Sequence, residues 1–172
     1  TYGGGIILSS SAANKIDIYS ANSGFAAVGG AVNGTVNVST IGGSTVTEAE
    51  GAVFDAGTGD INVIAKDYAN NLTAGGVANL AGVGGNVGIG SATVTINRNT
   101  ESSLKGTIAG NDKTVLKAKN ANVSADAKYG EANDSIGISF NGVGGGVSNV
   151  DNITMLKGHT TAELSDFTDM TV

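Results

Sequence analysis

A five-residue motif, Val-Gly-Gly-x-Val, occurs three times in this chain, at residues 28–32, 83–87 and 143–147. A short segment of alternating apolar and polar residues precedes and follows each copy, such as Ile61-Asn62-Val63 and Val94-Thr95-Ile96 around the second. Self-similarity at this spacing indicates a repeat architecture, in which each unit buries its apolar face against its neighbours. The motif therefore predicts a stacked β-solenoid rather than a globular enzyme built around one pocket.

The composition limits both the core and the partners of the protein. The 172 residues include 28 Gly but no Pro, Cys or Trp, so the core must use small and β-branched side chains. The absence of cysteine excludes a disulfide framework and a thiolate metal site. The net charge of −6 argues against nucleic acid as a partner, because phosphates require a Lys/Arg footprint.

Charge is distributed along the chain in blocks. Residues 18–47, 68–97 and 135–150 contain no Asp, Glu, Lys or Arg, and each block contains one copy of the motif. None of these blocks is predicted to be a membrane helix. Their many Gly, Asn, Ser and Thr residues are too polar for a bilayer and have low helix propensity.

Strand and turn signals predict the fold class. Clusters of Gly, Asn, Asp and Ser at residues 21–24, 57–60, 109–112 and 133–135 are typical of turns between short strands. The pattern predicts an all-β protein, a right-handed parallel β-helix with little or no helix, whose coils contain roughly 20 residues. About eight such coils would give a rod on the order of 40 Å long. We expect Ile and Val at alternating positions, including Val87 and Ile96, to point inward.

The strand at residues 83–90 alternates apolar side chains with nearly bare positions. A bare face permits another backbone to approach closely, so we favour a tight corner or a narrow contact between two sheets. Two alternatives remain open, a strand that inserts in a membrane and a surface for an oligomer or partner.

Residues 56–67 and 70–76, Ala-Gly-Thr-Gly-Asp-Ile-Asn-Val-Ile-Ala-Lys-Asp followed by Asn-Asn-Leu-Thr-Ala-Gly-Gly, resemble haemagglutinin-type repeats. Such repeats belong to large exoproteins and autotransporter passengers of Gram-negative bacteria, including filamentous-haemagglutinin-like adhesins and related leukotoxins or haemolysins. The resemblance implies a right-handed parallel β-helix in the body of a surface-exposed or released protein. The secretion domain of two-partner exoproteins carries Asn-Pro motifs, whereas this chain has no proline. We therefore expect residues 1–172 to be a single solenoid segment of a longer repeat array.

Candidate catalytic residues are few. His159 is the only histidine and follows Gly158, so we expect a solvated turn residue rather than a member of a metal cage or a catalytic pair. Glu48 and Glu50 are two residues apart and share one face of a strand, where a polysaccharide-active enzyme would place paired carboxylates. We favour solvated carboxylates at both positions, and also at Asp166 and Asp169, and predict no catalytic residue.

Residues 57–62 partly match the nonapeptide calcium repeat, but the match occurs once and its spacing differs. We therefore predict no metal and no cofactor. Six Asn-x-Ser/Thr sequons would at most mark exposed glycan acceptors. They begin at Asn33, Asn37, Asn71, Asn122, Asn133 and Asn152.

These observations and the resemblance together predict a structural or adhesive shaft segment of a bacterial exoprotein, secreted by a type V route or held at the cell surface. The expected partners are a host-cell surface protein or glycan and the neighbouring coils of the parent protein. A segment of a secreted cytotoxin is the alternative, and a β-helical enzyme acting on polysaccharide is a distant third.

Overall fold

The computed structural model describes residues 4–107 and 113–172 and consists almost entirely of β-strands. Within these ranges it contains no helix, and hence none long and apolar enough to cross a membrane. The prediction of an all-β fold is confirmed. The strands are β1 (Ile6–Val28), β2 (Ala31–Gly51), β3 (Val53–Asp55), β4 (Asp60–Val83), β5 (Asn86–Gly106), β6 (Val115–Lys117), β7 (Asn120–Val143), β8 (Gly146–Lys157), β9 (Thr160–Ser165) and β10 (Asp169–Thr171).

The strands form three parallel sheets, which we call A, B and C. Sheet A has the order β1-β4-β7, sheet B the order β2-β5-β8 with β9 also paired to β5, and sheet C the order β10-β6-β3. The chain passes through A, B and C in turn and then returns to A, so that each passage forms one coil. Ile6 pairs with Ile61 in the next coil, and Ile61 pairs with Ala121 in the third. This arrangement is the predicted parallel β-helix.

The predicted coil length is wrong. β1, β4 and β7 contain 23, 24 and 24 residues, so the described chain winds through three large coils rather than about eight small ones. Of the predicted turn clusters, residues 57–60 form a turn, residues 21–24 and 133–135 lie inside strands, and residues 109–112 lie outside the described residues. Asn22 and Asn133 direct their amides across the fold, where they donate to the carbonyl oxygens of Gly34 and Ala92 at 3.1 and 3.0 Å. Polar residues that are typical of turns therefore lie within strands here and hydrogen-bond across to the facing sheet.

Each coil has a broad end and a narrow end, which we call the base and the tip. At the base, sheets A, B and C enclose an aliphatic core that includes Ile61, Leu104 and Leu116, all fully buried. At the tip, sheet A passes directly into sheet B at the Val-Gly-Gly-x-Val motif. Gly29 and Gly84 have φ values of +102° and +133° at this corner, which glycine adopts without strain. The predicted corner at the motif is therefore confirmed.

Sheets A and B lie so close near the tip that glycine, alanine and short polar residues make up most of the interior. A Cβ atom added to Gly88 would lie 3.1 Å from the Nδ2 atom of Asn79. Asn79 and Asn86 are 1% exposed, and their amides donate to the carbonyl oxygens of Val87 and Phe140 at 2.7 and 2.9 Å. This geometry is the narrow sheet-to-sheet contact predicted from the bare positions of residues 83–90.

The predicted inward direction of the branched residues holds through most of each coil but not beside the corner. Ile96 is fully buried, whereas Val87 is 38% exposed and Val36 is 71% exposed. On sheet A of the middle coil, Val77 is the last branched side chain inside, at 2% exposed. Nearer the corner, the strand register places the valines outside and small or polar residues inside. Because side chains alternate along a strand, an outward valine at one position means that every side chain of the segment points to the face opposite to the predicted one.

Candidate interaction surface

Apolar side chains line up in rows across the outside of the tip. Three rows of apolar residues, each paired in register through all three coils, define the surface that we call the apolar tip. Its members are Phe25, Leu80 and Phe140; Val28, Val83 and Val143; and Val32, Val87 and Val147.

The middle coil shows that these side chains are exposed on the outer surface of the coils, and not because they lie at an open end of the stack. Leu80, Val83 and Val87 have a neighbouring coil on each side, yet they remain 49%, 50% and 38% exposed. Contiguous apolar surface of this kind on a protein marks an interaction site. The repeated Val-Gly-Gly-x-Val motif indicates in the sequence that valines recur at the same place in each coil, but only the strand register shows that these valines point outward.

The apolar tip has two faces and carries no charge. Phe25, Leu80 and Phe140 lie on sheet A, whereas Val32, Val87 and Val147 begin sheet B on the opposite side. The uncharged blocks at residues 18–47, 68–97 and 135–150 fold back on themselves at the tip, so both faces lack charge. In the third coil, the first charged residues on the two sides of the tip are Asp134 and Asp151.

The base half of each coil carries the charged side chains on its outer faces. Lys15 and Asp17 form a 2.8 Å ion pair, and the hydrogen bond with Asp17 raises the pKa of Lys15. On sheet A, Lys128 places its Nζ atom 5.9 Å from the centre of the Tyr68 ring. Lys15, Tyr68 and Lys128 line a shallow groove of about 430 Å³ together with Asn70. An aromatic ring flanked by cations and an amide can contact a polar or anionic ligand.

Sheet B has an exposed ion pair at its base. Lys105 and Glu163 approach to 3.2 Å, and this contact raises the pKa of Lys105. The pKa of Glu163 is lowered, first by the hydrogen bond from Ser165 and then by Lys105. The alternating charge blocks of the sequence thus correspond to the two ends of every coil.

A buried ion pair separates the base from the tip, and sequence reasoning missed it. The Nε atom of Arg98 on β5 lies 2.6 Å from the Oδ2 atom of Asp67 on β4, and the two side chains are 6% and 0% exposed. Arg98 also donates to the carbonyl oxygen of Gly42 at 2.9 Å and to the hydroxyl of Thr45 at 3.2 Å. Asp67 and Arg98 are the charges that flank the uncharged block at residues 68–97, so folding that block in half brings them together.

The residues weighed as catalytic lie on the outer surface of the base. His159 is exposed, and its Nε2 atom lies 2.7 Å from the Oε1 atom of Glu101. Glu48 and Glu50 lie on the outer face of β2, and Glu50 accepts a hydrogen bond from the Thr107 hydroxyl at 3.0 Å. In the described part of the chain, neither Glu48 nor Glu50 hydrogen-bonds to His159 or Glu101.

The residues weighed for calcium take part in contacts between coils. Asp60 and Asn62 accept hydrogen bonds from Asn120 and Asn122, at 2.8 and 3.4 Å. Among residues 4–107 and 113–172, no group of three or more His, Cys, Asp or Glu side chains is arranged to hold a metal ion.

Asp166 and Asp169 occupy separate positions near the end of the chain. Asp166 adopts a φ of +64°, and its carbonyl oxygen accepts a 2.6 Å hydrogen bond from the Thr114 hydroxyl. Asp169 begins β10.

Two of the six sequons cannot serve as glycan acceptors in the folded protein, which corrects the expectation of exposed sites. Asn37 and Asn71 are 6% and 0% exposed. The amide of Asn37 donates to the carbonyl oxygen of Ala74 at 3.0 Å, and that of Asn71 donates to the hydroxyl of Ser39 at 2.8 Å.

Comparison of the chain with protein-family models, with curated proteins and with solved structures finds no match. The functional argument therefore depends on the geometry of the fold and its surfaces.

Proposed function

We propose that this chain is a structural and adhesive β-helical segment of a bacterial exoprotein that is secreted or held at the cell surface. The observation that carries the proposal is the in-register stacking of whole coils. Ile7, Asn62 and Asn122 occupy equivalent positions in successive coils, as do Val32, Val87 and Val147. Because each coil contacts only its neighbours, such a fold can be extended by adding coils and is suited to a shaft.

The segment acts without catalysis, and recognition is spread over the outer faces of the base. A host-cell surface protein or glycan is the proposed partner class. The groove formed by Lys15, Tyr68 and Lys128 supports this assignment, because it exposes an aromatic ring between two cations. The resemblance to haemagglutinin-type repeats supports the bacterial source and the adhesive role.

A cell-binding assay tests the adhesive role. The chain immobilised on beads should bind epithelial cells in a saturable way, and the double variant Tyr68→Ala, Lys128→Ala should bind at least about threefold fewer cells. Glu48→Gln, on the outer face of sheet B, is the matched control and should bind like the wild type. Equal binding by the wild type and the double variant would contradict the role of the groove, and no binding by the wild type would contradict adhesion.

A secreted cytotoxin is the second candidate, because the exposed apolar tip is a surface that could contact a target membrane. Release of a fluorescent dye from vesicles or lysis of erythrocytes by the purified chain would favour the cytotoxin over the adhesin.

A further inference from the structure

At the tip of the molecule, polar side chains are buried in the interior beside Val77 and Ala81, and many apolar side chains lie outside. In the middle coil, Asn79 and Asn86 are buried between the sheets, whereas Leu80, Val83 and Ile89 face outward and are 49%, 50% and 46% exposed. The outside of a protein that faces water is ordinarily the more polar side, whereas strands that face lipid alternate apolar outside with polar inside.

At the corner of the tip, backbone hydrogen bonds join the middle coil to the coil on each side. At the corner, the amide of Gly29 donates to the carbonyl oxygen of Val83, and the amide of Gly84 donates to that of Val143, both at 2.8 Å. The amides of Ala31 and Asn86 donate to the carbonyl oxygens of Gly85 and Gly145 at 3.1 and 3.0 Å. An unpaired backbone group is costly in hydrocarbon, and stacking of the coils removes that cost at these corner amides.

The uncharged tip is deeper than the hydrocarbon of one lipid leaflet. Asp134 precedes the corner residue Gly144 by ten positions on sheet A, and Asp151 follows it by seven on sheet B. At about 3.3 Å per residue, these segments extend roughly 33 and 23 Å. One leaflet contributes about 15 Å to the hydrocarbon core, so the tip can enter it without burying either carboxylate. Tyr19 is 67% exposed and lies in the same row as Asp134, where an interfacial tyrosine is favourable.

We propose that the apolar tip inserts edge-on into a lipid bilayer to about the depth of one leaflet. Apolar side chains on both faces of the tip favour lipid over a second copy of the chain, because a flat partner would cover only one face. The net charge of −6 and the absence of cations on the tip mean that anionic headgroups do not drive the insertion. This inference is independent of the adhesive role, since pure lipid vesicles contain neither protein nor glycan.

Co-sedimentation with vesicles of pure phosphatidylcholine tests the proposal. The wild-type chain should partition onto the vesicles equally, within about twofold, at 0.1 M and 1 M NaCl, where the Debye length falls to about 3 Å. The double variant Leu80→Asp, Val83→Asp should partition at least about tenfold less, because it places carboxylates in hydrocarbon. Val53→Asp is the control, because Val53 is also apolar and is 64% exposed but lies at the base. Far-UV circular dichroism should show that all three proteins retain their strand content.

Several outcomes would overturn the proposal. Equal partition by the double variant and the wild type would show that the tip does not contact lipid, and loss of binding at 1 M NaCl would show an electrostatic association. If the wild-type chain did not bind vesicles but formed an oligomer, and the double variant did not form it, a second copy of the chain would cover the tip.

The depth of insertion can be measured separately, because the chain contains no tryptophan. In Phe25→Trp, the indole on the tip should be quenched by phosphatidylcholine brominated within its acyl chains, whereas the indole of Val53→Trp at the base should not. Equal quenching of the two variants, or no quenching of either while the chain sediments, would contradict insertion through the tip.

Discussion

The ion pair between Asp67 and Arg98 is a buried charged contact between the middle strands of sheets A and B. It joins β4 of sheet A to β5 of sheet B between an aliphatic base and a polar tip interior. Removing water from two charges is costly, and Arg98 offsets this cost with further hydrogen bonds to Gly42 and Thr45. The pair therefore fixes which residues of the two sheets face each other.

Asp67→Ala should destabilise the protein by roughly 3–5 kcal/mol, because it leaves the Arg98 guanidinium buried without a counter-charge. The measurement is the midpoint of urea unfolding followed by circular dichroism. The double variant Asp67→Leu, Arg98→Met should recover most of that loss, since no unpaired charge remains.

The matched control is Lys15→Gln, which removes an ion pair that is exposed rather than buried. Exposed pairs contribute little, so its urea midpoint should match that of the wild type. A shift as large as that of Asp67→Ala would contradict the distinction between the two pairs.

Val87 and Ile96 differ in the direction of their side chains, although the sequence pattern predicts that both point inward. Ile96→Asp should abolish cooperative unfolding, because an unpaired carboxylate would enter a fully buried site. Val87→Asp should change the free energy of unfolding, measured with urea, by no more than about 0.5 kcal/mol, as for surface substitutions. Similar losses in both variants would show that Val87 is buried and that the assigned register is wrong.

At the scale of the elements, the corner between sheets A and B depends on glycine at specific positions. Gly84 adopts a φ of +133°, and a Cβ atom there would overlap the carbonyl oxygen of Gly29 in the adjacent coil. Its neighbour Gly85 has no positive φ, and a Cβ atom there would lie 3.5 Å from the carbonyl oxygen of Gly145. The two adjacent glycines therefore have different roles.

Gly84→Ala should lower stability by at least about 1–3 kcal/mol, because the alanine must adopt a strained backbone and push the coils apart. Gly85→Ala should change it little, and thermal unfolding of the two variants in parallel provides the comparison. If Gly85→Ala were the more damaging substitution, the assignment of the corner would be incorrect.

The sequence predicted the elements better than their lengths. Ile61-Asn62-Val63 and Val94-Thr95-Ile96 lie in strands as predicted, and the motif lies at a corner. Asn22 and Asn133 misled the prediction of coil length, because an amide that bonds its own backbone in a turn can equally bond a facing strand across a narrow interior. The spacing of the motif was itself the coil length, but the direction of each valine depended on sheet separation, which no local pattern contains.

For the whole molecule, the positions of the strands within the stack determine which parts open first. β4 and β5 pair with a strand on each side, whereas β1 and β7 form the two edges of sheet A within the described chain. Hydrogen exchange followed by mass spectrometry should therefore show the slowest amide exchange in β4 and β5, and faster exchange in β1 and β8. Exchange in β1 as slow as in β4 would mean that another chain covers that edge, because unpaired strand edges favour pairing with other chains.

The large coil also determines how the chain can fold. Ile6 pairs with Ile61 and Val28 pairs with Val83, so no residue of β1 finds its strand partner within the same coil. Each strand of the first coil must therefore stay unpaired until the equivalent strand of the second is available, and each pairing must first close a long loop. Non-local parallel pairing of this kind places folding at the slow end of the range for single domains. If the chain becomes available from its N-terminus onward, each strand remains extended and unpaired over the length of a whole coil. It becomes rigid only when the equivalent strand of the next coil pairs with it.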